Sequence, residues 1–176
     1  MQFVNTLSQA PRRVLALISL ACVALLAFGM YLQHVQGLEP CPMCVVQRYA
    51  LTLVGILAAI GSLWRRCWWQ GLWAALAWLT SGFGAFVAAR QSLLQWNPPE
   101  IMSCGRDFYG VIEGFPLRDA IPMLFRGSGD CSAVDWTFLG LTIANWSFLA
   151  FATFFVLLMG LGIRFLTARR AGVRPA

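Results

Sequence analysis

The sequence predicts an all-α membrane protein built as a four-transmembrane-helix bundle. Of 176 residues, 59% are hydrophobic and only 11% are charged, whereas ordinary globular chains carry roughly 25% charged residues. The apolar residues fall into four long runs, and about 20 apolar residues suffice to cross the hydrocarbon core as a helix. Most charged residues lie between the runs. This pattern predicts membrane spans and excludes a water-soluble core.

Each span is predicted from one apolar run. The first, 14–32, exceeds the roughly 7–15 apolar residues of a signal peptide, so it is interpreted as a retained anchor. The second is interrupted only by Arg48 near its start. Glycines inside the runs are expected to let helices pack closely; they are Gly61, Gly82, Gly84, Gly160 and Gly162. The whole chain, 1–176, is thus predicted as one membrane domain with spans at about 14–32, 45–64, 71–89 and 145–163.

The distribution of charge predicts the orientation. One side carries arginine and no acid, and by the positive-inside rule it is cytoplasmic and holds both termini; its arginines are Arg12, Arg13, Arg65, Arg66, Arg164, Arg169, Arg170 and Arg174. All seven acids lie on the other side, in two predicted periplasmic loops at about 33–44 and 90–144. The arginines form no basic face with interleaved aromatic residues, so nucleic-acid binding is not expected.

The second outer loop contains a further apolar stretch, 115–125, which is too short to span a bilayer. It could lie along the membrane surface as an interfacial segment. It could equally form a small core beneath the loop. A connection of this length in a small protein is usually functional.

The six cysteines divide by compartment. Cys41, Cys44, Cys104 and Cys131 lie on the predicted periplasmic side, where disulfides persist. Cys22 lies inside the first span and Cys67 in a cytoplasmic loop, so we expect both to stay free thiols.

The pair Cys41 and Cys44 forms a C-x-x-C motif, which can be redox-active, half of a zinc site or a tight structural disulfide. The one histidine, His34, lies outside the usual zinc spacing and is interpreted as an interfacial residue, so no metal is predicted. Cys104 and Cys131 could form a structural staple worth about 3.5 kcal/mol. A disulfide between Cys41 and Cys44 would close a loop of only four residues and so would constrain little of the chain. The spacing of this pair therefore indicates reversible dithiol chemistry.

Arg48 lies four residues after Cys44, so one helical turn places both side chains on the same face. A charge inside a span costs about 2.5–3.5 kcal/mol at the bilayer centre and less near an end. One interpretation is an arginine that extends to lipid headgroups. The other is functional: its charge favours the Cys44 thiolate, and it can hydrogen-bond an anionic or quinoid oxygen beside that sulfur.

These motifs resemble the DsbB family of disulfide bond formation proteins. The resemblance rests on Cys41-Pro-Met-Cys44-Val-Val-Gln47-Arg48-Tyr49 after the first span. It also rests on the later stretch 125–131, which ends in Asp130-Cys131 and is followed by Trp136, Phe138, Leu139, Gly140 and Leu141. It covers nearly the whole chain: four spans, two outer loops and two cysteine pairs.

The resemblance implies a thiol oxidase of the bacterial inner membrane, with its active cysteines on the periplasmic side. A reduced partner of the DsbA type, a soluble thioredoxin-like oxidase, would attack Cys104 to give a mixed disulfide. Cys131 would resolve it and exchange with Cys41. Cys44 would face ubiquinone or menaquinone, which Arg48 would help to hold, and two electrons would pass to the membrane quinone pool.

The sequence departs from the family at the end of the third span. Many members carry histidine after the arginine there, whereas this chain has Arg90-Gln91. Glutamine can donate a hydrogen bond to a quinone oxygen but cannot relay a proton as imidazole does. Gln91 is therefore expected to bind the quinone, and Gln95, one turn later, is a further candidate.

Two other functions fit part of the pattern. A quinone-linked oxidoreductase of the vitamin K epoxide reductase type also combines four helices with C-x-x-C, but its active pair is expected near the last span. A membrane scaffold with disulfide-stapled loops explains Cys104 and Cys131. It offers no reason for Cys41, Cys44 and Arg48 to occur together.

Overall fold

A computed structural model describes residues 11–38, 40–64, 66–97, 134 and 136–170. In this part of the chain four helices and one small hairpin follow in order: α1 (Pro11–Val35), α2 (Pro42–Leu63), α3 (Cys67–Trp96), β1 (Thr137–Phe138), β2 (Leu141–Thr142) and α4 (Ile143–Arg170). All four helices are long and apolar enough to cross a membrane. The predicted four-helix membrane fold is confirmed.

The helices extend beyond the predicted spans, except that α2 ends at Leu63, one residue before its predicted end. Two differences of seven residues are the largest. The third helix, α3, continues through Arg90, Gln91 and Gln95 to Trp96 instead of ending at residue 89, and α4 continues to Arg170 instead of ending at residue 163. A helix can leave the hydrocarbon without penalty because its backbone hydrogen bonds are internal. Hydropathy marks the apolar part of a helix, not its end. Seven residues expected in the outer loop are therefore helical.

Neighbouring helices run antiparallel. Arg12 Nε at the start of α1 donates to the Ser62 carbonyl at the end of α2, 2.8 Å away. Packing is closest between α1 and α2, α2 and α3, and α3 and α4. The main core draws on all four helices and includes Leu15, Ile18, Cys22, Val54, Ala58, Ala77, Phe154 and Leu158. Large apolar side chains also cover the outer faces, as lipid contact requires; examples are Leu20, Leu53, Leu79, Phe86 and Val156.

Close helix packing depends most on Gly84 of α3. A Cβ at this position would overlap the ring of Phe151 on α4, which is itself only 1% exposed. A Cβ on Gly61 or Gly82 would meet its nearest side-chain atoms at 3.1 Å. By contrast, a Cβ on Gly160 or Gly162 would meet nothing within 4 Å. The expectation of close packing is right for the first three glycines and wrong for the last two, which face outward.

We predict that Gly84→Ala lowers the free energy of unfolding by about 1–3 kcal/mol, because the added methyl group must displace a buried ring. The matched control is Gly160→Ala, which adds the same atom in open space. It should leave stability unchanged or raise it by up to about 1 kcal/mol, since alanine is the better helix former. Thermal unfolding midpoints in detergent measure both, and equal midpoints would contradict the packing described here.

The hairpin was not expected. Thr137 pairs with Thr142 and Phe138 with Leu141, and the two residues between them have positive φ, 53° at Leu139 and 76° at Gly140. Positive φ at both central residues is the signature of the type I′ turn, which matches the twist of a two-stranded ribbon. The hairpin leads directly into α4. It therefore lies at the end of the bundle at which α2 begins and α3 ends.

Several predicted features lie outside the described residues. They are Cys104, Cys131, the apolar stretch 115–125, the side chain of Cys67 and all seven acidic residues.

Candidate functional site

The C-x-x-C pair opens α2. Cys41 is the N-cap residue and Pro42 occupies the first helical turn, where its missing N–H costs no hydrogen bond. The backbone N–H of Cys44 donates to Cys41 Sγ at 3.2 Å, so the sulfur takes the place of the usual capping oxygen. Cys41 is buried and Cys44 half-buried. The N-terminus of a helix favours negative charge and hence a thiolate.

Gln91, which lies on α3, forms hydrogen bonds with both cysteine sulfurs. Its Nε2 donates to Cys41 Sγ and to Cys44 Sγ, each at 3.2 Å. Its Oε1 accepts a hydrogen bond of 2.7 Å from Gln47 Nε2 on α2. The structure thus places Gln91 against the cysteines themselves. Gln47 had no predicted role, although its position one turn after Cys44 could have indicated one.

The surroundings of Cys41 change the acidity of its thiol. The pKa of Cys41 is raised above its ordinary value, first by the hydrogen bond that its thiol shares with Cys44 and then by burial. A hydrogen bond donated by a thiol stabilises the protonated form of that thiol. The surroundings of Cys41 therefore favour its protonated form.

Arg48 lies one turn beyond Cys44 and is held by α1. Its Nη1 donates to Gln33 Oε1 at 2.5 Å, and its Nη2 donates to the Gly29 carbonyl at 3.3 Å. The guanidinium is half-buried, and each of its two terminal nitrogens has one acceptor on α1. Sequence reasoning missed Gln33, because nothing in a sequence specifies which face of α1 turns toward α2.

Gln95 lies one turn after Gln91. Its Oε1 accepts a hydrogen bond of 2.7 Å from Thr142 Oγ1, at the end of the hairpin. This contact ties α3 to the start of α4.

A cavity of about 990 Å³ connects these side chains. It lies between α1 and α4, and most of its wall is apolar. Seven polar side chains contributed by α1, α2 with its N-cap residue, and α3 line it; they are Gln33, Cys41, Cys44, Gln47, Arg48, Gln91 and Gln95. Such a volume suits a small organic molecule with a few oriented polar atoms.

Aromatic rings line the same cavity. Trp136 lies 5.9 Å from Phe28 of α1 and 6.0 Å from Phe138, centroid to centroid. Trp146 Nε1 donates to the Phe138 carbonyl at 3.1 Å. The hairpin is thereby attached to α1 and α4 on both sides of the cavity.

His34 is exposed on α1. Among the described side chains, no three potential ligands converge on a metal position.

The fold and the site together define a multi-pass membrane protein that presents a C-x-x-C pair to a cavity between its helices. The chain matches the family model described as "Disulfide bond formation protein DsbB" over residues 11–161. It belongs to this family.

Relatives named "Disulfide bond formation protein B" agree with the assignment. One from Paracidovorax citrulli (strain AAC00-1) is 64% identical over 173 residues, covering 98% of each chain. One from Acidovorax sp. (strain JS42) is 66% identical over 160 residues, covering 91% of this chain and 92% of its own. A more distant one from Azoarcus sp. (strain BH72) is 56% identical over 131 residues. Disulfide bond formation is thus the process to which the family belongs, and the predicted family is confirmed.

Proposed function

We propose that this protein is a thiol oxidase that takes two electrons from a periplasmic dithiol partner and delivers them to a membrane quinone. The single observation that carries the proposal is the placement of Cys44. Its sulfur lines an apolar cavity between membrane-spanning helices, beside Arg48 and Gln91. A lipid-soluble oxidant is available in such a place, and a structural disulfide needs neither the cavity nor the arginine.

The residues of the cavity fit a quinone. Its apolar wall, contributed by α1 and α4, suits a ring and a hydrocarbon chain. Arg48 has donors beyond the two that bind α1, and these could hold a quinone oxygen; Gln91 and Gln95 are the further candidates. When bound, ubiquinone or menaquinone would accept two electrons and two protons and would leave the site as the quinol.

The protein's own residues carry the electrons to that point by thiol–disulfide exchange. A reduced partner of the DsbA type attacks Cys104 of the Cys104–Cys131 disulfide, and the partner's second thiol then releases it as a disulfide. The thiolates of Cys104 and Cys131 next reduce the Cys41–Cys44 disulfide by the same exchange. Cys41 retains its proton, and Cys44 faces the cavity as a thiolate beside Arg48. Two electrons leave the partner for each Cys41–Cys44 disulfide reduced.

The proposal also assigns the two ends of the helix bundle to the cytoplasm and the periplasm. The helix ends opposite the cysteines carry Arg12, Arg13, Arg66 and Arg164, which by the positive-inside rule face the cytoplasm. The Cys41 end of the bundle then faces the periplasm, across a bacterial inner membrane. This arrangement gives the long outer loop access to a soluble partner.

The partner end of the pathway is tested by trapping. We expect a Cys131→Ala chain, expressed in cells with a DsbA-type partner, to accumulate a mixed disulfide. The unpaired Cys104 thiolate attacks the disulfide of the oxidised partner, whose second sulfur leaves as a thiolate, and no Cys131 thiol remains to displace the partner from Cys104. A Cys104→Ala chain is the control and should accumulate none. Non-reducing electrophoresis detects the complex. Capture of no partner by either variant, or equal capture by both, would contradict the assigned roles.

A further inference from the structure

We propose that Gln47 is a positioning residue: it fixes the amide of Gln91 so that the Gln91 N–H groups, and not its oxygen, face the sulfurs of Cys41 and Cys44. The inference deepens the proposed function, on which it rests. It concerns a side chain to which neither the motif nor the family name assigns a role.

The orientation of the Gln91 amide matters because its two ends have opposite effects. The nitrogen donates to both sulfurs at 3.2 Å, and a donor stabilises a thiolate. If the group were turned by half a rotation, the oxygen would face the same sulfurs. A lone pair there would repel the negative charge that the reduced pair carries. The amide alone has little reason to prefer one orientation when the pair is a neutral disulfide, because sulfur is a weak acceptor.

Gln47 supplies that preference. Its Nε2 donates to Gln91 Oε1 at 2.7 Å, which satisfies the oxygen and leaves the nitrogen directed at the cysteines. Both glutamines are buried, Gln47 at 5% and Gln91 at 3% exposure, so water does not compete for the bond. With Gln47 oriented as it is, turning Gln91 alone would bring two N–H groups together and remove the Gln47 donor from the Gln91 oxygen, and buried polar groups are rarely left unpaired.

The geometry therefore describes a chain of donors that runs from Gln47 to Gln91 and on to the sulfurs. It favours the reduced form of the pair, in which one sulfur is a thiolate, over the disulfide. Easier reduction of Cys41–Cys44 by the partner-facing cysteines follows. The alternative is a purely structural role, in which the two glutamines only hold α2 to α3, as interhelical polar pairs do in membranes.

The test is the redox equilibrium of Cys41–Cys44 with glutathione, measured without quinone. The full chain carries Cys22→Ala, Cys67→Ala, Cys104→Ala and Cys131→Ala, so that Cys41 and Cys44 are the two cysteines that remain. In each reduction two glutathione thiols become one glutathione disulfide, and the Cys41–Cys44 bond becomes a thiol and a thiolate, with one proton released. Alkylation of the reduced pair followed by mass measurement gives the reduced fraction.

We expect Gln91→Leu to lower the equilibrium constant for reduction by about 10-fold, the effect of losing hydrogen bonds to a charged group. Gln47→Leu should lower it by about 3- to 5-fold, because Gln91 remains but is no longer oriented. The double variant should match Gln91→Leu alone, since Gln47 acts only through Gln91. This non-additivity is what a double-mutant cycle detects.

The matched control is Gln70→Leu. Gln70 is also buried, 4% exposed, and donates to the Trp64 carbonyl at the opposite end of the bundle. Its loss should leave the equilibrium constant unchanged even where it lowers stability. Additive effects of Gln47→Leu and Gln91→Leu, or an unchanged equilibrium in Gln47→Leu, would overturn the proposal. Because no quinone is present, a failure of quinone reduction would leave this result intact, so the two claims fail separately.

Discussion

Replacement of Cys44 by alanine is expected to stop turnover, lowering the rate at which the protein reoxidises a reduced thioredoxin-like partner by at least about 1,000-fold. The variant retains Cys104, Cys131 and Cys41. It can therefore accept electrons from one partner molecule, but it has no disulfide at the cavity and no thiolate to pass them on. A single round of exchange should remain without catalysis.

Cys22→Ala is the control for this prediction. Cys22 is buried on α1, with its Cβ 3.1 Å from the position that a Cβ on Gly55 would occupy. It belongs to the main core and is not among the residues that line the cavity. Its removal should leave the rate within about 2-fold while lowering stability by about 1 kcal/mol, the effect of a small core truncation. Alkylation of the partner's remaining thiols over time gives both rates. Sustained catalysis by Cys44→Ala would contradict the assignment of Cys44.

Replacement of Arg48 by methionine is expected to raise the KM for quinone by about 10- to 100-fold, because a hydrogen bond to a charged group contributes about 1.5–3 kcal/mol. Methionine keeps the length and apolar stem of the side chain but removes the guanidinium. Its contacts with Gln33 and the Gly29 carbonyl are lost as well. Arg48→Lys should fall between the wild type and Arg48→Met, since an ammonium keeps the charge without the planar fork.

Arg13→Met is the matched control for Arg48. Arg13 is exposed near the start of α1, at the end of the bundle opposite the cysteines. Steady-state rates over a range of quinone concentrations separate KM from kcat for each variant. An unchanged KM in Arg48→Met would assign Arg48 to helix packing or lipid headgroups instead.

The chemical core of the site could be predicted from sequence because local geometry determines it. The spacing of Cys41 and Cys44 places them in the first turn of a helix, and Arg48 follows Cys44 by one further turn. Hydropathy and charge likewise predicted four spans. Backbone N–H and C=O groups find no water in the hydrocarbon core of a bilayer, so an apolar run of this length crosses it as a helix with internal hydrogen bonds.

The remaining features depend on how helices face one another, which a single sequence does not specify. Gln33 binds Arg48 because of the rotation of α1, and Gly84 meets Phe151 because of the approach of α3 to α4. The hairpin escaped prediction for a different reason. Its strands are only two residues long, and its turn is Leu139-Gly140 instead of the Asn-Gly or Asp-Gly pair that marks a type I′ turn.

Gln91 illustrates a partly successful prediction. The resemblance to the family directed attention to this position, where many members carry histidine, and predicted a contact with quinone. That contact stays a prediction. The structure adds a contact that the sequence did not indicate, the hydrogen bonds from Gln91 to both sulfurs. A glutamine there can stabilise a thiolate by donation although it cannot carry a proton.

Loss of quinone absorbance under anaerobic conditions is the most direct test of the central claim. Purified protein in detergent receives reduced thioredoxin-like partner and ubiquinone, with wild type, Cys44→Ala and Arg48→Met compared. The wild type should form one quinol for each partner dithiol oxidised and Cys44→Ala none, while Arg48→Met should reduce quinone more slowly at low quinone concentration. Untouched quinone in the wild-type reaction, or equal reduction by Cys44→Ala, would contradict the central claim.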